Sequence, residues 1–306
     1  MEQNVLKTNR KAYIITGPTS GIGRATALEL AKHGTIVLVG RDPEKLNEVQ
    51  KIIKKIKGQN AVSVVCDLSN ILSVRKAAAE IIALNLPIAG LLNNAGIMPM
   101  TPSKSAQGWD IAFATNHLGP FAFMEALIPH LPDGTHVVFT CSGVEDPVRK
   151  PAVAAGFRGG RYISAEASAR SECQSGGSSN RGFDAYATTK QCELASVFVF
   201  SRENPKLRFN AVEPGFSPGT SLGRDANIVL RLLAKYILGS LAPYIKYWST
   251  PKIAAKMITN VLTEDSNQTG VYFDEKGKPM LASEQVRDTN FQNRVVAETR
   301  ALLSKV

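Results

Sequence analysis

Histidine is scarce in this chain: there are four among 306 residues, and none follows His136. That excludes a hydrolase reading of Gly219-Thr220-Ser221-Leu222-Gly223, because an α/β-hydrolase needs a histidine after its nucleophilic serine. His33, His117, His130 and His136 have no paired ligand spacing, so no metal site is expected. Cysteine is equally sparse. Cys66, Cys141, Cys173 and Cys192 lack metal-ligand or redox spacing, and three lie in segments that read as buried. Free thiols in a reducing compartment, hence a cytoplasmic protein, are the expectation. No apolar run reaches the roughly 18 uninterrupted residues of a membrane span, and the first residues, Met1-Glu2-Gln3-Asn4, are polar. Neither secretion nor membrane crossing is indicated, and the sequon Asn267-Gln268-Thr269 would matter only in a secreted chain.

What is present suits a globular enzyme. A hydrophobic content of 44% with 20% charged residues supports one sizeable core, and residues 1–306 read as a single domain. The net charge of +10 would suit nucleic acid, an anionic membrane surface or a phosphorylated ligand. The distribution favours the last two. The densest basic cluster, Lys51, Lys54, Lys55 and Lys57, alternates with Ile52, Ile53 and Ile56 in a helical stretch without stacking aromatics, so it reads as a solvated helix face.

Apolar runs alternate with helical periodicity along the chain. Ala12 to Ile15, Thr35 to Gly40, Ala61 to Cys66, Ile88 to Leu92, His136 to Thr140, Arg208 to Val212 and Val271 to Asp274 read as strands. Arg24 to Lys32, Pro43 to Lys57, Ile71 to Leu84, Trp109 to Ile128, the segment from Tyr186 to about Arg202, and Asp288 to Leu303 read as helices. Near-continuous β-branched strands between helices predict a parallel sheet covered on both faces, an α/β/α sandwich.

Two local patterns carry chemistry. Thr16-Gly17-Pro18-Thr19-Ser20-Gly21-Ile22-Gly23 follows a strand and opens a helix, where backbone amides and the helix N-terminus can hold a pyrophosphate. Its glycine spacing, three intervening residues and then one, departs from the ordinary Gly-x-Gly-x-x-Gly. Tyr186 and Lys190 stand at i and i+4, on one helical face, so the ammonium can favour the ionised phenol. Together the two patterns read as a hydride-transfer enzyme.

With these residues the chain resembles the short-chain dehydrogenase/reductase family. Thr16 to Gly23 matches that family's Thr-Gly-x-x-x-Gly-Ile-Gly, Asn93-Asn94-Ala95-Gly96 its Asn-Asn-Ala-Gly, and Tyr186 to Lys190 its Tyr-x-x-x-Lys. Asn116 and Ser142 complete the family's tetrad, Pro214-Gly215 matches its Pro-Gly, and the agreement runs from about residue 12 to 220. Asn116-His117-Leu118-Gly119-Pro120-Phe121 and the C-terminal helix look most similar to the retinol dehydrogenase and protochlorophyllide reductase branch.

The resemblance implies a Rossmann-type doubly wound sheet and a set of roles. Tyr186 would be the general acid, Ser142 would hydrogen-bond the substrate oxygen, and Asn116 would hold a water in a proton relay. Lys190 would bind the nicotinamide ribose and lower the Tyr186 pKa. Gly17, Thr19, Ser20, Gly21, Ile22 and Gly23 would cradle the cofactor, with Asn94, Ala95, Gly96, Pro214 and Gly215 around it and Asp67 and Leu68 beside the adenine. Asp67-Leu68-Ser69 also reads as a helix cap. Gly40 occupies the place where the family's NAD enzymes carry an acid, and Arg41 follows it, able to pair with a 2′-phosphate or with Asp42, so NADPH/NADP+ is the expected cofactor.

The expected activity is NADPH-dependent oxidoreduction of a carbonyl or alcohol on a small, mostly apolar substrate. Reduction of an activated carbon-carbon double bond is the alternative. A non-catalytic NADPH-binding regulator ranks behind both, since the whole tetrad is kept. Nucleic acid is not an expected partner; a homodimer or homotetramer is compatible with the sequence.

Two segments depart from the family pattern. Ser142 and Tyr186 are 186 − 142 = 44 positions apart, so Pro147 to Ala185 (147–185) reads as an insertion beside the active site. Its Gly, Ser and Arg content suits a mobile loop, either a substrate cover, a partner-docking segment or a surface excursion. Pro218 to Ser249 (218–249) follows the Pro-Gly turn where relatives carry a substrate lid. Within it Ile228 to Ile245 is helical and apolar apart from Arg231 and Lys235, and reads as a lid, an amphipathic anchor giving peripheral membrane contact through 228–248 with Lys246 and Trp248, or a packing helix.

Overall fold

Alternate residues of a strand face opposite sides of a sheet, so a strand that is apolar at every position needs cover on both. The computed structural model, which describes residues 10–56, 59–217 and 247–306, places β1 (Ala12–Thr16) at the middle of such a sheet. Ala12 and Ile14 enter one core while Tyr13 and Ile15 enter the other. β2 (Thr35–Gly40) repeats the alternation, with Val37 and Val39 on the first side and Ile36 and Leu38 on the second. β3 (Ala61–Val65), β4 (Ile88–Asn93), β5 (His136–Thr140), β6 (Arg208–Val212), β7 (Val271–Phe273) and β8 (Pro279–Met280) complete an eight-stranded sheet in the order β3-β2-β1-β4-β5-β6-β7-β8. All pairings are parallel except β7 with β8. The chain runs outward from β1 in one direction, then returns to β4 and runs outward in the other. That reversal is the switch point of a doubly wound fold, where ligands bind at the carboxyl ends of the strands.

Helices α1 (Gly21–Leu30) and α2 (Pro43–Lys55) cover one face; α3 (Ile71–Ala83) covers the other. Asp42 caps α2 by accepting the Lys45 N–H, and Pro43 occupies the first turn, where a missing N–H costs nothing. The predicted end of α2 at Lys57 is corrected to Lys55, because Ile56 turns to extended backbone. Lys51, Lys54 and Lys55 are exposed while Ile53 is buried, a solvated face as expected.

The single helix predicted from Trp109 to Ile128 is instead three pieces. A short α4 (Ile111–Phe113) leads into a π-helical segment (Ala114–Leu118), followed by α5 (Gly119–Leu127). The reason is local. Pro120 has no N–H to give to the carbonyl four residues back, and Gly119 donates to Ala114, five back. Gly119 is also pressed against the Leu68 carbonyl, where a Cβ would stand 2.0 Å from the oxygen.

The 147–185 insertion is not the loose loop its composition predicted. It contains α6 (Lys150–Ala154) and α7 (Ala165–Ala169), and it ends in the first turn of α8 (Arg181–Glu203). Tyr162 is fully buried, meets Phe291 edge-on with ring centroids 5.7 Å apart, and donates its hydroxyl proton to Glu298 at 2.7 Å. Glu298 also accepts the Ala165 N–H, and Thr188 on α8 accepts the Arg161 N–H. Two aromatic and carboxylate anchors outweigh a glycine-rich composition. After β6 the description resumes at α9 (Pro251–Thr263), which packs beside α1. α10 (Glu284–Arg287) and α11 (Thr289–Leu303), the latter capped by Asp288, close the opposite face against α8. The expected lid helix from Ile228 to Ile245 lies outside the described residues. Among the described residues no helix is long and apolar enough to cross a membrane.

Candidate active site

The glycine loop is tied to the end of β4 through Thr16. Its Oγ1 accepts the N–H groups of Asn94 and Ala95 at 2.9 and 3.1 Å, and the Asn94 side chain donates to the Thr16 carbonyl at 3.1 Å. Gly23 lies so close beneath this loop that a Cβ would stand 2.2 Å from the Gly17 oxygen. Only glycine lets α1 approach. The Ser20 side chain does not cap α1, and the first turn holds no acid. The amides at this helix start and the positive end of its dipole therefore suit an anionic phosphate group.

At the end of β2, Asp42 is committed to α2 and to Lys45 Nζ at 2.5 Å. Its pKa is lowered by those Lys45 contacts. Arg41 is exposed and has no ion pair among the described residues. The sequence left open whether Asp67 caps a helix. Its carboxylate accepts the N–H and hydroxyl of Ser69, fixing its own turn, while Asn70 caps α3.

A cleft of about 1180 Å³ runs along the carboxyl ends of the strands. Gly17, Thr19 to Gly23, Arg41, Asp67, Leu68, Asn94 to Gly96, Ser142, Tyr186, Lys190, Pro214 and Gly215 all line it. Asn116 does not. It sits behind the wall in the π-helical segment, fully buried, its side chain bound to both backbone atoms of Ile97 and to Thr189 Oγ1. Asn116 thus braces the loop that follows Asn94-Ala95-Gly96.

Tyr186 and Lys190 lie on α8 as the spacing predicted, with the Lys190 ammonium 5.6 Å from the Tyr186 ring centroid. The expected lowering of the phenol pKa is corrected. Burial raises it; Lys190 pulls it down, and Glu193 pushes it back up. Glu193 was not singled out in the sequence, although an acid three residues after Lys190 on a buried helical face was the available signal. Both its carboxylate oxygens accept from Lys190 Nζ, at 3.0 and 2.9 Å.

Further residues that the sequence reading missed come from the insertion. Arg149 reaches the cleft and pairs with Glu213, next to Pro214, while its guanidinium carbon lies 5.3 Å from the Tyr247 ring centroid. Burial raises the Glu213 carboxyl and Arg149 opposes it. Ala152, Ala155 and Phe157 supply apolar wall, and Phe157 stacks on Phe183 at 4.3 Å and lies 6.5 Å from the Tyr186 ring. Phe216 and Trp248, which also line the cleft, meet edge to face with ring centroids 5.2 Å apart.

A profile of the short chain dehydrogenase family matches residues 11–153. Over those residues the chain matches the short-chain dehydrogenase/reductase family. Its relatives include human retinol dehydrogenase 13, 28% identical over 306 residues that cover 96% of this chain and 84% of that one. Dehydrogenase/reductase SDR family member 12 from Bos taurus is 31% identical over 216 residues, 69% of this chain and 63% of the relative. Several curated relatives are matched over about 40% of their own length. Among solved structures, an uncharacterised protein from Mycobacterium paratuberculosis superimposes with a TM-score of 0.70 at 23% identity, covering 96% of this chain and 93% of that one. A short chain dehydrogenase from Burkholderia cenocepacia in complex with NADP gives 0.62 at 19% identity, covering 87% and 96%. Both share the fold.

Proposed function

We propose that the protein is an NADPH-dependent oxidoreductase that moves hydride to or from a carbonyl or alcohol carbon of a mostly apolar small molecule. The observation that carries this reading is the convergence of the glycine loop, Arg41, Ser142, Tyr186 and Lys190 on one cleft. The residues fit the cofactor: an uncapped helix start for the pyrophosphate, Arg41 for a 2′-phosphate, and Lys190 beside Gly96 for ribose hydroxyls. Bound there, the nicotinamide would supply or accept the hydride. Tyr186 gives its hydroxyl proton to the substrate oxygen in reduction and takes one back in oxidation, while Ser142 donates a hydrogen bond that orients that oxygen. Burial keeps the Tyr186 phenol protonated at neutral pH, the form that reduction needs. Ala152, Ala155 and Phe157 exclude water from the reacting face and favour an apolar substrate body.

The test is turnover with NADPH and with NADH against aldehydes, ketones and enones of graded size, followed by loss of the reduced nicotinamide absorbance and by product analysis. The expected result is reduction of the carbonyl with NADPH preferred. Saturated carbonyl products from enones would instead establish double-bond reduction. NADPH binding without turnover of any substrate in the series would favour a regulator.

A further inference from the structure

Glu193 lies one turn beyond Lys190 on α8, against β5, where its Oε2 stands 4.0 Å from Cys141 Sγ. Lys190 Nζ donates to both Glu193 oxygens and, at 2.9 Å, to the Thr140 carbonyl. An ammonium has three protons, so these contacts occupy its donors. The two side chains are 6% and 5% exposed, which leaves little water to screen the pair. Gly96 backs onto the ammonium, a Cβ there standing 3.8 Å from Nζ, so Lys190 faces the loop that would flank a ribose. The same cation is asked to support the Tyr186 phenolate, to hold the ribose and to neutralise a buried carboxylate. It cannot do all three at full strength.

We propose that Glu193 is a positioning residue that keeps Lys190 in reserve, engaging its donors until the ribose hydroxyls of the cofactor draw it away, whereupon Glu193 takes up a proton from solvent. This rests on the reading of the cleft as a nicotinamide cofactor site. Among the described residues no other cation contacts Glu193, so a carboxylate deserted by Lys190 would be left buried beside a neutral thiol. Protonation relieves that. Burial already pushes the Glu193 carboxyl up to about 7, against the pull of Lys190. On Lys190 burial acts downward, but the charge and hydrogen bonds of Glu193 together with the Tyr186 and Cys141 sites raise it on balance, so the ammonium stays protonated.

The surrounding titratable groups are Cys141 just past β5, Tyr186 and Cys192 on α8, Glu145 and Glu213 beyond the strand ends, and Tyr272 on β7, with the cations Arg149, paired to Glu213, and Arg294, beside Glu298. Burial raises both thiols and both phenols, so none of these four titrates near neutral pH. Glu145 is tied to the N–H and hydroxyl of Ser283, and Glu213 to Arg149. Neither contact involves Lys190.

The experiment is calorimetric titration of the protein with NADPH near pH 8, in two buffers of different ionisation enthalpy. At that pH the 2′-phosphate of free NADPH is already ionised, so Arg41 contributes little proton exchange. The wild type is expected to take up on the order of one proton per NADPH bound, because the binding state holds the extra proton. Glu193→Gln should abolish the uptake and bind NADPH roughly tenfold more tightly, since a neutral amide holds the ammonium less strongly. Lys190→Gln, in which no ammonium is handed over, should abolish the uptake as well, and serves if Glu193→Gln does not fold. NADPH binding by the wild type without proton uptake, or unchanged uptake in either folded variant, overturns the role of Glu193 and leaves the cofactor site standing. Absence of NADPH binding overturns both.

Discussion

Asn116 holds Ile97 by both halves of its backbone: Oδ1 accepts the Ile97 N–H at 2.8 Å and Nδ2 donates to the Ile97 carbonyl at 2.8 Å. A third bond, from Nδ2 to Thr189 Oγ1 at 3.1 Å, joins the same side chain to the helix that carries Tyr186. One amide thus sets the distance between the cofactor loop and α8. Asn116→Leu removes all three bonds and leaves two partly buried backbone groups without side-chain partners. The expected loss is about 1–3 kcal/mol per orphaned group, read as a lower urea midpoint with unchanged m-value. Asn116→Asp keeps the acceptor for the Ile97 N–H and should lose less.

Tyr186→Phe should lower kcat by ~10²-fold or more, the usual contribution of positioned proton transfer, and leave NADPH affinity nearly intact. Retention of more than about a tenth of wild-type kcat would refute the acid assignment. Fluorescence titration of NADPH on the same variant provides the binding control.

Arg41→Ala removes a guanidinium that has no ion pair among the described residues, so little structural damage is expected. A lost charge-assisted contact to phosphate costs on the order of 1.5–3 kcal/mol, and NADPH should weaken roughly ten- to a hundredfold while NADH is spared. Equal losses for the two cofactors would make Arg41 a structural residue.

His117 is fully buried in the π-helical segment, its Nε2 2.9 Å from Thr299 Oγ1, and burial lowers its pKa from 6.5 to about 3. A group depressed in the folded state adds stability above its unfolded pKa and loses it as pH falls through the folded one. The wild-type melting temperature should therefore fall between pH 6.5 and about 3 more steeply than that of His117→Gln, which cannot charge. Parallel melting curves over that range would show that His117 does not set the acid limit.

The sheet and the glycine-loop side of the cleft were legible because they rest on local signals. Thr16 to Gly23 sits between a strand and a helix, and the β-branched runs announce strands buried on both faces. The break at Ala114–Leu118 was hidden, since apolar periodicity reads through a π segment; only Pro120, unable to bond four residues back, marked it. The insertion was misread because composition is silent about partners. Tyr162 finds Glu298 and Phe291 more than a hundred residues away, and nothing in the loop itself foretells them. Lys190 was assigned from its spacing to Tyr186, but its charge is shared with Glu193, and only burial reveals that neither is screened by water.

Helix α11 supplies Thr299 to His117, Glu298 to Tyr162, and Gln292 to Arg202 on α8, contacts that span 182, 136 and 90 residues of chain. On the ribosome, where domains grow from the N-terminus, the glycine loop and β1 to β5 can assemble while α11 is still being made. The outer face of α8 cannot. Until residues 291–303 emerge, the Tyr162 ring lacks Phe291 and its hydroxyl lacks Glu298. A translating chain is thus able to build the glycine-loop half early and settles the 147–185 segment only with α11. The late-arriving segment decides when the nascent protein becomes competent, and long-range closure of this kind is intrinsically slow.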